Sequence, residues 1–327
     1  MGLQPHLRYN SDIWKFFVSI PVTLSRFTHQ QQTLLLPSPS LYVSHDLDNR
    51  RSWRATLGYH EEAGGWKFYA LDTLQTDYRT YTNGADFVPR NRSLSSTFNY
   101  EYKRAIYHFF VNFDLMATRT WNNVVSDMQV VDGNYYYAYK KHNTQSDYVN
   151  GSAVVSKGFF KAHLKTSLTL SGTWSQGEHY SNGRVLDFNY HSISLAPEID
   201  YSPSFMQVTY NGTFGWNQSE VGGTKTHTLF DWTQRLTLTS TLSNVDLTLV
   251  GVLHHNELQS SPSVNTFLAD AHVVWRLKKV RLRAELRNLF NKKTYAETTY
   301  SGVGVFTNNY ELRPREFLLS VQFYLGL

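Results

Sequence analysis

The 327-residue sequence contains no cysteine. That removes disulfides, thiolate metal sites and cysteine nucleophiles together, and it leaves the redox compartment unreadable. Charged residues are scarce, at 17% against the roughly 25% usual for soluble domains. The 31 basic and 26 acidic side chains give a net charge of +5, but no long basic run of the kind that grips nucleic acid, so no nucleic-acid partner is expected. Also missing is any stretch near the roughly 18 uninterrupted apolar residues that a spanning helix requires. A membrane barrel passes the same test, because its strands need only about 9 to 11 residues and half of those face water. The opening residues, MGLQPHLRYNSDIWKFF, show no basic n-region, apolar core or small-residue cleavage site. As written, the chain is not expected to direct its own export. Neither a nucleophile elbow nor an HExxH motif is present, and no enzyme activity is expected.

What is present is aromatic and alternating. Aromatics make up 15% of the chain, with 22 Tyr, 20 Phe and 8 Trp. In VRLRAELR, Arg281, Arg283, Glu285 and Arg287 interleave with Leu282, Ala284 and Leu286, which gathers the charges on one face only if the segment is a strand. The same period-2 pattern runs through Trp14, Phe16, Val18, Ile20, Val22 and Leu24, read as one long strand. It recurs at Tyr107–Ala117, Leu164–Trp174, Met206–Trp216, Phe267–Trp275 and Phe317–Leu325.

The connections fall into two classes. Short turns are expected near Asn10, Asp48, Lys103, Gly158, Tyr201, Leu242 and Leu277. Between them lie polar, Gly- and Asn-rich links at 29–39, 61–92, 175–183, 217–225 and 256–265. Asp132-Gly133 is a tight-hairpin signal, so Ile106–Val131 and Asn134–Lys157 read as one tall hairpin. Aromatics such as Tyr9, Trp14, Tyr102, Tyr201 and Trp275 sit near the short turns, as in an interfacial girdle. A soluble sandwich is the rival all-β fold, but its strands average only about 5 to 6 residues, and these run to about a dozen. The reading is therefore an antiparallel transmembrane β-barrel in the outer membrane, with the charged face of Val280–Arg287 lining a wet lumen. About fifteen strands are expected. Single-chain bacterial barrels have even strand numbers, so the single domain 1–327 reads as N-terminally incomplete.

The passage Arg287-Asn288-Leu289-Phe290-Asn291-Lys292-Lys293-Thr294-Tyr295, followed by Tyr310-Glu311-Leu312-Arg313-Pro314-Arg315-Glu316-Phe317, resembles the last two strands of TonB-dependent outer-membrane transporters. SLYVSHDLD, TDYRTYTNGADFVPRNRS and VSKGFFKAHLK make the upstream layout similar to the Bacteroidetes type. The resemblance implies a 22-stranded barrel with an N-terminal plug, and neither plug nor TonB box is in this sequence. It implies a receptor importing a scarce or large nutrient: a glycan, peptide, siderophore or haem. The implied partners are outer-membrane lipids, the TonB complex through the absent plug, and a surface lipoprotein. No cofactor is implied. The alternative from a different class is a passive pore or a structural, adhesive barrel.

Candidate substrate contacts are Arg283 and Arg287 on the lumen face and Trp66, Tyr69, Tyr78 and Tyr81 in the long link 61–92. The competing reading of those aromatics is that they pack the link onto the rim. Asn288 reads as a rim-stabilising hydrogen-bonding residue ahead of a substrate contact, and Arg313 and Arg315 as snorkelling rim residues. Adjacent His254 and His255 face opposite sides of a strand, so they do not share a metal.

Overall fold

The computed structural model describes residues 2–28, 30–69, 72–181, 183–258, 261–301 and 304–324. Its main body is an 18-stranded sheet. Three members are short additions, Leu74–Asp77, Thr80–Thr82 and Thr224–Lys225; the other fifteen follow one another in chain order, each antiparallel to the last. They are β1 (His6–Asn10), β2 (Trp14–Ser19), β3 (Ser40–Asp48), β4 (Arg51–Ala63) and β5 (Arg90–Arg104). Next come β6 (Phe109–Val131), β7 (Asn134–Phe159), β8 (Leu164–Ser181), β9 (Arg184–Tyr201) and β10 (Met206–Val221). The last are β11 (Leu229–Leu242), β12 (Val245–Leu258), β13 (Ser261–Arg276), β14 (Val280–Arg287) and β15 (Glu316–Phe323). The expected strand number is thus met.

Register turns the sequence alternation into two continuous faces. Starting at β1, Tyr9, Phe16, Val43, Ala55, Phe98, Leu115, Gly151, Gly172, Ile193, Trp216 and Phe230 stand side by side. Starting at β15, Phe317, Leu286, Ala271, Leu249, Leu238, Val208, Tyr201, Leu164 and Phe159 do the same. One residue along, the neighbours are Lys15, Ser44, Arg54, Asn99, Asp114, Ser152, Ser171, Ser194, Gly215 and Asp231. A one-residue slip in any strand would exchange the faces, so the alternation itself fixes the register.

The short turns lie where expected, at one end of the sheet. Two of them share a design: a 3-10 turn, Ala105–Tyr107 or Phe160–Ala162, closed by a histidine in the left-handed region, His108 or His163. At the opposite end β6 and β7 form the tall hairpin, 23 and 26 residues long, joined by Asp132 and Gly133 with φ of 49° and 75°. Both positive angles fit the mirror-image turn that matches strand twist.

Three expectations need correction. Trp14–Leu24 is not one strand: β2 ends at Ser19, and the chain turns into a separate three-stranded sheet of Gly2–Leu3, Val22–Phe27 and Gln32–Pro37. Pro21 has no N–H for a ladder, which explains the break. The links at 175–183, 217–225 and 256–265 are mostly strand, because β8–β10, β12 and β13 run on through them. Their Gly, Asn and Ser content reads as loop, yet strands with both faces wet show no alternation. Finally, Thr294–Ser301 and Gly304–Glu311 form a two-stranded hairpin of their own between β14 and β15.

Candidate functional site

On the polar face near the β15 edge, β14 aligns two guanidiniums around one buried carboxylate. Arg283 Nε lies 2.5 Å from Glu285 Oε1, and Arg287 donates through Nε and Nη2 to Glu285 Oε2 at 2.9 and 2.6 Å. His272, beside Glu285 on β13, approaches the same carboxylate at 3.7 Å. Both arginines remain about half exposed, at 52% and 46%, while Glu285 is buried. Alternation puts residues two apart on one side, so a single glutamate can serve both neighbours. The result is a cationic strip with spare guanidinium donors, a geometry suited to carboxylate or phosphate oxygens.

The link between β4 and β5 spreads over the tall hairpin. Thr80–Thr82 adds to β7 as a parallel strand beside Tyr135–Tyr137, and Tyr81 stacks on Tyr136 with centroids 5.0 Å apart. Tyr69 packs on Phe27 at 5.3 Å. Tyr78 stands in solvent, 79% exposed, with the Arg79 guanidinium over its ring. Trp66 opens the turn Trp66–Tyr69, and its side chain lies outside the described part. The five candidates with described side chains therefore divide: Arg283 and Arg287 share one cluster, Tyr78 and Tyr81 share the rim, and Tyr69 sits apart on the small sheet.

Two rim features escaped the sequence reading. Asn123, at a register shift in β6, accepts from the Arg90 N–H at 2.6 Å and donates to Val88 O at 3.2 Å, which moors the link. Tyr135 and Tyr136, 42% and 36% exposed, extend the aromatic surface of Tyr78 and Tyr81. The run Tyr135-Tyr136-Tyr137 beside Asp132-Gly133 was the available signal; Asn123 gave none.

Asn288 adopts φ of 49° just past β14. Its side chain donates to Lys292 O and Arg313 O at 2.8 Å each and accepts from the Lys292 N–H at 2.9 Å. It therefore staples the chain entering β15. His254 and His255 do point apart: His254 meets Thr233 on the polar face, whereas His255 stacks on Trp232. Among the described residues, no group of three or more His, Asp or Glu side chains is arranged to hold a metal ion.

No protein-family model matches the chain, and no curated protein matches it. Among solved structures it is similar to Pseudomonas aeruginosa FpvA bound to heterologous pyoverdines, at 7% identity over 99% of this chain with a TM-score of 0.47. It is also similar to the siderophore receptor PirA from Acinetobacter baumannii, at 9% over 98% with 0.46. A third is the ferric-catecholate import receptor Fiu from Escherichia coli K12, at 7% over 99% with 0.45. The chain spans 64%, 56% and 60% of the length of these three.

Proposed function

We propose that the chain is the wall and outer-loop portion of an outer-membrane TonB-dependent receptor that imports a nutrient too scarce or too large for porins. The broad apolar face carries this reading. Phe317, Leu319 and Phe323 are 67%, 65% and 67% exposed, and the rows across the other strands continue them. Each large apolar side chain left in water forgoes about 1.5–3 kcal/mol, and soluble monomers rarely expose contiguous apolar patches beyond a few hundred Å². Acyl chains would cover that face, and the polar face would line a lumen.

The two edge strands support incompleteness. β1 runs toward the short-turn end, and so does β15, since Glu316 pairs with Arg287 and Phe323 with Val280. Two strands of the same direction do not pair antiparallel, so an odd number of further strands would close the barrel. In this reading a plug and those strands belong to the same receptor, and TonB acts on the plug. The lumen strip of Arg283 and Arg287 and the rim tyrosines Tyr78 and Tyr81 contact the ligand or a surface lipoprotein. The nutrient is of the glycan, peptide, siderophore or haem class.

Two experiments test this. The full chain in vesicles of brominated phosphatidylcholine should lose much of its tryptophan emission, because Trp14, Trp53, Trp216, Trp232 and Trp275 share the apolar face. Emission equal to that in unbrominated vesicles refutes membrane contact. Deleting the gene should abolish growth on one nutrient of these classes in a TonB-dependent manner; steady conductance from this chain alone would instead identify a passive pore.

A further inference from the structure

The hairpin Thr294–Glu311 lies against the polar face, not in the wall. Its strands pair with each other from Thr294–Glu311 to Ser301–Gly304, so its backbone hydrogen bonds are self-contained. Asn256 of β12 holds it to the sheet: Nδ2 donates to Thr298 O at 3.3 Å, and Oδ1 accepts from the Thr298 N–H at 2.8 Å. The side chain thereby imitates one rung of a ladder. The rings of His254 and Tyr295 meet nearby, centroids 5.4 Å apart. Around the latch the polar face is buried: Thr266, directly beside His254 in the sheet, is 2% exposed, Thr298 3% and Asn256 5%.

The contact is not uniformly favourable. Glu297 of the hairpin brings a second carboxylate toward Asp231 of β11, and like charges oppose the docking. Among the described residues, leaving the sheet breaks the two Asn256 hydrogen bonds and the His254–Tyr295 ring contact, and disrupts no backbone pairing within the hairpin or the wall. At its base the hairpin stays tethered by Asn288 and by the Leu312 N–H bonded to Lys293 O.

We infer that the hairpin Thr294–Glu311 is a detachable cover inside the lumen, latched by Asn256, and that its release uncovers the polar wall around Asp231, His254 and Thr266. The inference rests on the polar face being a lumen. A hydrogen-bonding ligand that engages Asn256 competes with Thr298 and opens the cover, coupling entry of cargo to the width of the passage.

The absence of cysteine makes single-thiol probes clean. In the membrane-inserted full chain, Thr266→Cys should react slowly with a water-soluble methanethiosulfonate, and Ser171→Cys, on the polar face of β8, should react readily. Adding Asn256→Leu to Thr266→Cys should raise its rate about tenfold or more, because local opening then breaks fewer hydrogen bonds. Thr298→Pro removes the other partner's N–H from outside the sheet and should act alike where Asn256→Leu disturbs the wall. Circular dichroism confirms retained β-structure in each variant. Thr266→Cys reacting as fast as Ser171→Cys in the parent chain, or a rate unmoved by both lesions, overturns the cover. Failure of Ser171→Cys to react at all overturns the lumen reading on which it rests.

Discussion

Leu249 sits fifth in β12, between Leu238 and Ala271 on the apolar face, while Thr248 beside it looks the other way, between Thr239 and His272. Strands need about 9 to 11 residues to cross the hydrocarbon, so the fifth from the short turn lies near the midplane. Leu249→Arg should therefore cost about 2–4 kcal/mol, the penalty for a guanidinium facing lipid at that depth. That is about 30- to 700-fold in the folding equilibrium. Thr248→Arg meets water and should stay within about 0.5 kcal/mol. Denaturant titration of the full chain in phosphatidylcholine vesicles, followed by tryptophan emission, reads both. Equal costs would mean that both faces are wet, and a larger cost at Thr248 would reverse inside and outside; either result refutes the face assignment.

Gly133→Val puts a β-branched residue at φ of 75° and should loosen the upper part of the β6–β7 hairpin, seen as faster amide exchange there with the lower strands unchanged. Asn288→Ala removes the three side-chain hydrogen bonds to Lys292 and Arg313 and should lower stability by about 2–3 kcal/mol in the same titration, without altering ligand affinity. At the β3–β4 turn, the Arg51 guanidinium first, then the backbone N–H groups of Arg50 and Arg51, hold the Asp48 carboxyl below its usual range. A depressed carboxylate stabilises the turn above the ordinary carboxylate pKa, and that contribution disappears as pH falls through the lower folded value. Amide exchange at Arg50 and Arg51, corrected for its intrinsic pH dependence, should thus rise in acid, and Asp48→Asn should remove the transition. Tyr78→Ala should leave stability within about 0.5 kcal/mol while weakening capture of ligand or lipoprotein at the rim; unchanged capture removes Tyr78 from the site.

The wall was legible because one rule, period-2 alternation with apolar residues on a single side, governs most residues of the apolar face. Trp275, Leu282 and Val321 obey it on three successive strands, so strand number, short turns and face assignment could all be read in advance. Above that belt the rule lapses. Residues 175–183 read as a loop because nothing there needs to alternate, yet Gly177 pairs with Phe188 as regularly as any residue below. The hairpin Thr294–Glu311 was hidden for a different reason: its seat depends on Asn256, some forty positions earlier, and a single long-range clamp leaves no periodic trace. Of the proposed contacts, Arg283 and Arg287 were visible as alternating charges. Their shared carboxylate was visible too, but not its burial, which comes from the neighbouring strand.

β6 and β7 carry about a dozen residues each beyond what a bilayer needs, and at 3.3 Å per residue with the usual tilt the proposed barrel would hold Asp132-Gly133 about 30 Å clear of the hydrocarbon. On that reading anything approaching the cell, whether antibody, phage or host protein, would meet that mast before the lumen. A short epitope tag inserted between Asp132 and Gly133 should consequently be readable on unbroken bacteria, where the sugar coat masks shorter loops.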